Sequence, residues 1–274
     1  MAGRECPGEL KGIEQMRELA LFSGGLGGVL GTHLLGWRPV GYVEWNKYCQ
    51  RITRQRMLDG ILPEAPIFGD IDAFLDDGYA AAYSGLVDVV TAGFPCQPYS
   101  IAGKRRADAD ERNKWPQTLD VLRAVGPQFA LLENVPDLVS TDYFGQILGE
   151  LAEAGFDAEW GVVPAAAVGA THRRDRLWIA AIHSDAGRQR CQKRDFPAVS
   201  ANETPGAAWD NNQLRAGQWS RTVWSVCEPA MVGMADDVAH RLDRIRATGN
   251  GQVPGVVVAA WQLLSRRSDE WLKP

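Results

Sequence analysis

From residue 19 onward the chain alternates short apolar runs with amphipathic segments, and this alternation limits its possible folds more than any other feature. The runs at 19–22, 40–43, 66–68, 87–92 and 129–132 have strand length and no polar face, as strands buried on both sides do. Helical spacing fills the intervals: a glycine-rich turn opening an apolar helix that runs to Leu35, a helix over 46–58, and helical patterns at about 119–125 and 143–154. Two more strand candidates follow at 160–164 and 176–182. A last apolar segment of helical length, 253–264, comes after the turn Gly249-Asn250-Gly251. Such an order predicts an α/β fold with a Rossmann-like, parallel, doubly wound sheet.

Composition narrows the class. At 274 residues and 45% hydrophobic, the chain is long enough for one large α/β domain and a smaller attachment. Its apolar runs, such as 256–261, fall short of the roughly 20 residues a membrane span needs. Residues 1–17 mix charge with glycine and read as a loose arm without a secretory signal. The five cysteines (Cys6, Cys49, Cys96, Cys191, Cys227) are widely spaced and form no Cys-x-x-Cys pair. That argues against a zinc ribbon and fits a reducing cytoplasm. A net charge of −5 excludes only a protein that coats polyanions indiscriminately, since one basic face suffices for nucleic acid. Residues 172–194 hold such a cluster: Arg173, Arg174, Arg176, Arg188, Arg190, Lys193 and Arg194 against Asp175 and Asp185. After His183 the sequence turns polar. Residues 184–228 therefore read as a small second lobe, and 18–183 plus 229–274 as the main domain.

The turn Phe22-Ser23-Gly24-Gly25-Leu26-Gly27-Gly28 follows a strand and opens a helix, where glycine lets backbone approach a ligand. Glu44 stands 20 residues after Gly24, at the end of the next strand, where a carboxylate can accept from both ribose hydroxyls of a nucleoside. Trp45 beside it is placed to stack on an adenine. Asp70, ending the third strand before Ile71, is placed to read an amino group or simply to cap the following helix. The turn lacks the Gly-x-Gly-x-x-Gly geometry of a pyrophosphate site. This disfavours a nicotinamide oxidoreductase and favours a nucleoside with an uncharged or cationic tail, such as S-adenosylmethionine.

The fourth strand runs into Gly93-Phe94-Pro95-Cys96-Gln97-Pro98, with two prolines stiffening the turn around the cysteine. A lone cysteine there is either a small buried hydrophobe or a nucleophile at the crevice. The next strand ends Leu132-Glu133-Asn134-Val135, placing a carboxylate where a buried charge requires a partner.

Taken with His172-Arg173-Arg174-Asp175-Arg176 and the final Asn250-x-x-Val253, these segments resemble the DNA (cytosine-5)-methyltransferase family, in that family's order. The resemblance spans nearly the whole chain apart from 1–17 and 184–228. It implies the S-adenosylmethionine-dependent methyltransferase type of α/β fold, and methyl transfer to C5 of a cytosine flipped out of double-stranded DNA. By resemblance Cys96 is the nucleophile that adds to C6, Glu133 holds the N3 and N4 edge of the base, and Arg174 and Arg176 position base and nucleophile. Phe22, Gly24, Gly25, Leu26, Gly27, Gly28, Glu44, Trp45, Asp70, Ile71, Pro95, Asn250 and Val253 then line the S-adenosylmethionine pocket. Residues 100–115 resemble the loop that closes over the flipped base. Arg241, Arg244 and Arg246 precede the Asn250 turn and are candidates for contact with the DNA backbone. Three positions depart from the family pattern: Leu26 replaces a usual glycine, His172 a usual glutamine, and the lobe at 184–228 is small. The expected enzyme is a cytoplasmic monomer on DNA, of the kind that restriction–modification systems use. An RNA cytosine-5 methyltransferase and a non-catalytic nucleic-acid-binding relative are the alternatives.

Overall fold

A computed structural model of the chain describes residues 15–95, 113–184, 247 and 251–271. The elements in order are β1 (Arg17–Leu21), α1 (Gly27–Leu34), β2 (Arg38–Val43), α2 (Lys47–Leu58), β3 (Ile67–Phe68), α3 (Ile71–Asp76), α4 (Tyr79–Ala82) and β4 (Val89–Gly93). They continue with α5 (Trp115–Val125), β5 (Phe129–Asn134), α6 (Asp142–Glu153), β6 (Phe156–Pro164), β7 (Asp175–His183) and α7 (Pro254–Trp271). The strands form one sheet in the order β3-β2-β1-β4-β5-β7-β6.

Strand alternation explains how both faces of that sheet are covered. Val90 and Ala92 of β4 and Ala130 and Leu132 of β5 share one cluster with Leu119, Leu122 and Val125 of α5 and Ile147 and Leu151 of α6. Their neighbours Val89, Phe129 and Leu131 face the other way, against Val256, Val257, Ala260, Trp261 and Leu264 of α7. Trp261 meets Trp37 and Phe129 edge-on, with ring centroids 4.8 and 5.6 Å apart. Local chemistry sets the helix ends: the Asn46 side chain accepts from the Tyr48 and Cys49 amides to start α2, and the Thr141 side chain accepts from the Phe144 amide to start α6.

The parallel expectation holds for β1 to β5 and fails at β7, which runs antiparallel to both β5 and β6. Only a short connection with a single 3-10 turn, Ala165–Val168, joins β6 to β7. It is too short for the crossover that a parallel return needs, so β7 turns back between β5 and β6. Among the described residues no helix is long and apolar enough to cross a membrane. Several expectations fall outside the described residues: Cys96, residues 100–112, Asn250, Arg241, Arg244, Arg246, most of the arm, and the lobe at 184–228 beyond Ser184.

Candidate active site

The strand order reverses direction between β1 and β4, because β2 and β3 lie to one side and β5 to the other. In an open α/β sheet, the carboxyl ends at such a switch point border a crevice. Here the crevice is lined by Phe22, Ser23 and Gly24 after β1, Gly93 of β4, Glu133 of β5, Trp178 of β7, Gly28 of α1, and Gly251 and Gln252 before α7.

The glycine turn and Glu44 are built as one unit. Glu44 is 5% exposed, and its two oxygens accept from the Gly24 amide at 2.6 Å and the Asn46 amide at 2.8 Å. Burial raises its pKa, and those two amides pull it partly back. Gln50 donates from its side chain to the Glu44 carbonyl, which fixes the end of β2. Trp45 then projects into solvent at 79% exposure, a large apolar surface beside Glu44. Asp70 accepts from the Asp72 amide at 3.1 Å and so caps α3, as the structural alternative anticipated, while Ile71 is buried in the core.

Leu26 differs from its neighbours in the turn. It takes a left-handed backbone, φ 72°, and its fully buried side chain packs with Ala20, Val29, Tyr42 and Leu62 instead of facing the crevice. Phe22 is also left-handed, at φ 52°. Val253 packs against the α7 side of the core.

Gly93 of β4 is paired in register with Glu133 of β5. The turn that leads to Cys96 therefore leaves the sheet beside Glu133. Asn134 fastens the two strand ends together: its side chain donates to the Phe94 carbonyl at 3.0 Å and accepts from the Val135 amide at 2.8 Å. Lys114 donates its amide to the Pro95 carbonyl at 3.1 Å, so the chain returns beside the point from which it departs.

Glu133 is engaged on both oxygens. Arg176 Nε lies 2.9 Å from Oε1, and Gln252 Nε2 donates to Oε2 at 3.1 Å. Burial pushes its carboxyl above the usual range, while the Gln252 hydrogen bond and the charges of Arg176 and Arg174 oppose that rise. Arg174, at φ 31°, donates from Nη2 to the Gly251 carbonyl at 2.6 Å. Burial and the neighbouring Arg176 lower its pKa. The sequence-predicted Glu133, Arg174 and Arg176 thus converge in one polar cluster. Gln252 belongs to it and escaped sequence reasoning; the only signal was a polar residue immediately before an apolar helix.

A second carboxyl lies deeper. Glu18, the second residue of β1 and fully buried, accepts from Thr32 Oγ1 at 2.5 Å and Thr91 Oγ1 at 2.7 Å. Both threonines also line the crevice. A carboxylate directly before the apolar run of β1 is the one signal that could have flagged it.

Comparison with known proteins matches residues 16–228 to the family described as C-5 cytosine-specific DNA methylase. The type II methyltransferase M.CviJI of Paramecium bursaria Chlorella virus IL3A is 28% identical over 198 residues, 72% of this chain and 49% of the relative. M.HaeII of Haemophilus aegyptius, also a type II methyltransferase, is 33% identical over 172 residues, 61% of this chain and 50% of the relative. The S. pombe Dnmt2 methyltransferase structure is 19% identical with a TM-score of 0.49, covering 73% of this chain and 59% of that one. The chain spans about half the length of the curated relatives M.CviJI and M.HaeII. With the match covering most of its length, the chain belongs to the C-5 cytosine-specific DNA methylase family.

Proposed function

We propose that this chain transfers a methyl group from S-adenosylmethionine to C5 of a cytosine flipped out of double-stranded DNA, acting as a cytoplasmic monomer. The observation that carries the reading is the register of Gly93 with Glu133, which sets the turn toward Cys96 and a buried carboxyl at adjacent strand ends.

The residues present fit the methyl donor. Ser23 Oγ is buried in the crevice wall with no hydrogen-bond partner, which suits a polar ligand group. Phe22, Gly24 and Gly28 line the crevice; the resemblance assigns Gly25 and Gly27 to the same pocket, with Glu44 as the ribose acceptor and Trp45 as the stacking face. Asp70, Pro95, Asn250 and Val253 are assigned to the same pocket by the resemblance, and Leu26 and Ile71 support it from the core side. When bound, S-adenosylmethionine supplies an electrophilic methyl on a sulfonium.

Cytosine C5 is a weak nucleophile. Addition of the Cys96 thiolate to C6 forms an S–C6 bond and moves the C5–C6 electron pair onto C5, which then attacks the methyl. Glu133 meets the N3 and N4 edge and supplies a proton as charge builds on the ring. Arg176 fixes the Glu133 carboxyl from one side, and Arg174 fixes the backbone of the segment entering α7. Loss of the C5 proton to a base then drives out the cysteine and restores the aromatic ring. A stacked base cannot expose C6 to a thiol, so the target must leave the duplex.

Cys96→Ala should abolish methyl transfer to duplex DNA while leaving the far-UV spectrum and S-adenosylhomocysteine binding intact. Full activity in that variant refutes the assigned nucleophile. Duplex DNA carrying 5-fluorocytosine should trap a covalent complex, because the C5 substituent can no longer leave as a proton. Trapping on RNA alone, or on neither polymer, overturns the DNA assignment.

A further inference from the structure

The carboxyl assigned to the base is already engaged on both oxygens. In the base-free site Glu133 faces a donor on each oxygen: Arg176 on Oε1 and Gln252 on Oε2. The Gln252 amide is packed closely against two glycines. A methyl group built on Gly93 would lie 2.8 Å from its Nε2, and one built on Gly28 would lie 2.2 Å from its Oε1. Its backbone is equally confined. A methyl on Gly27 would fall 1.9 Å from the Gln252 carbonyl oxygen, and Arg174 grips the preceding Gly251 carbonyl.

We propose that Gln252 is a positioning residue for methyl transfer, which holds the Glu133 carboxylate through Oε2 and is itself set in place by the glycine turn at Gly27 and Gly28. The inference rests on the reading of Glu133 as the base-binding carboxyl. The two donors favour the ionised carboxylate against the burial that raises its pKa, and the ionised form can accept from the cytosine N4 amine but not donate to N3. Entry of the base must therefore displace Gln252 from Oε2. The amide that aligns the carboxyl in the free enzyme also opposes its early protonation.

The surroundings leave few other groups to set this balance. Among the described residues, the charged groups acting on Glu133 are Arg174 and Arg176. Its register partners, Gly93 on β4 and Trp178 on β7, carry no charge, and α1 presents Gly28, Val29 and Thr32 to the crevice. Cys96, which the sequence places nearby, lies outside the described residues.

The test is the titration of the Glu133 carboxyl, followed by 13C NMR in glutamate-labelled full-length chain, with Glu133→Gln used to assign the signal. Gln252→Met keeps the length of the side chain and deletes the donor. It should raise the Glu133 midpoint by about one pH unit, the size expected for loss of one hydrogen bond to a carboxylate. Gln252→Glu, which sets a second carboxyl there, should raise it further. Gly28→Ala, which pushes the Gln252 amide aside, should reproduce the Gln252→Met shift. The basic limb of the single-turnover pH profile should move up in parallel.

A midpoint that stays in place or falls in Gln252→Met overturns the proposal. A shift in Gln252→Met with none in Gly28→Ala overturns the link to the glycine turn. The underlying reading fails separately: if Glu133→Ala retains methyl transfer, Glu133 is not the base-binding carboxyl, whatever Gln252 does to its titration.

Discussion

Two carboxyls of one sheet, Glu18 on β1 and Glu133 on β5 with β4 between them, differ in how their charge is supported. Glu133 has an arginine and an amide to support its charge, whereas Glu18, among the described residues, has the hydroxyls of Thr32 and Thr91. Burial therefore raises the Glu18 pKa to about 7 from an ordinary 4.5, and its charge helps push the Tyr42 phenol above its usual range. The sign of the consequence is fixed. Between about pH 4.5 and 7 the unfolded chain releases this proton while the folded chain keeps it, so stability falls as pH rises and levels off above 7. The full span corresponds to about 3 kcal/mol. Glu18→Gln retains an amide that can bond both threonines and has no proton to lose. Urea denaturation at pH 5 and pH 8 should show the native chain losing stability between the two and the variant losing much less. An equal loss in both would mean that Glu18 titrates normally in the fold.

At the scale of elements, the junction of β4 with β5 decides whether the site can work, and Asn134 is its fastener. Replacing it by alanine removes the donor to Phe94 O and the acceptor for Val135 N, leaving two backbone groups to find other partners. Asn134→Ala should lower stability by about 1–3 kcal/mol. The rate of the methyl-transfer step should fall more than donor affinity does, because the turn toward Cys96 loosens while the Glu44 cradle is untouched. Rapid-quench kinetics beside calorimetric donor binding separate the two effects. The alternation of apolar runs announced most of these elements, since strands buried on two faces leave a strong signal in sequence. The strand β7 left a signal at 176–182 but its antiparallel direction left none, because direction depends on the length of the β6–β7 connection and not on the composition of the strand. Of the candidate site, Glu44 and Glu133 stand out in the sequence as carboxylates at strand ends, whereas Arg174 and Arg176 are singled out by the family resemblance. Gln252 was not: its partner is 119 residues away in the chain, and no local pattern records that contact. Leu26 was read as a departure within a glycine turn. Its left-handed φ shows that the turn keeps the conformation that favours glycine, and burial of the leucine side chain offsets the strain.

Across the whole molecule, the turn after β1 and the start of α7 must meet before the crevice has a wall. The seam between α1 and α7 is the contact that joins the two ends of the described chain, and it depends on small residues. A methyl group built on Gly31 would lie 2.5 Å from Val257 Cβ and 2.8 Å from the Pro254 carbonyl oxygen. Two effects of opposite sign compete in Gly31→Ala. Helix propensity alone would favour alanine by about 1 kcal/mol in the interior of α1. Overpacking against a β-branched side chain and a backbone oxygen, neither of which can swing away, costs about 1–3 kcal/mol. The clash should win, so Gly31→Ala should lower the thermal midpoint. It should also weaken S-adenosylhomocysteine binding, because moving α7 away from α1 displaces Gly251 and Gln252 from the crevice wall. A double variant, Gly31→Ala with Val257→Ala, keeps the Val257 Cβ and the Pro254 carbonyl oxygen, so it should not recover the lost donor affinity and should be less stable than the single variant through loss of buried valine surface. If the single variant is instead more stable than the native chain, propensity outweighs the contact, and the seam is looser than its 2.5 Å approach implies.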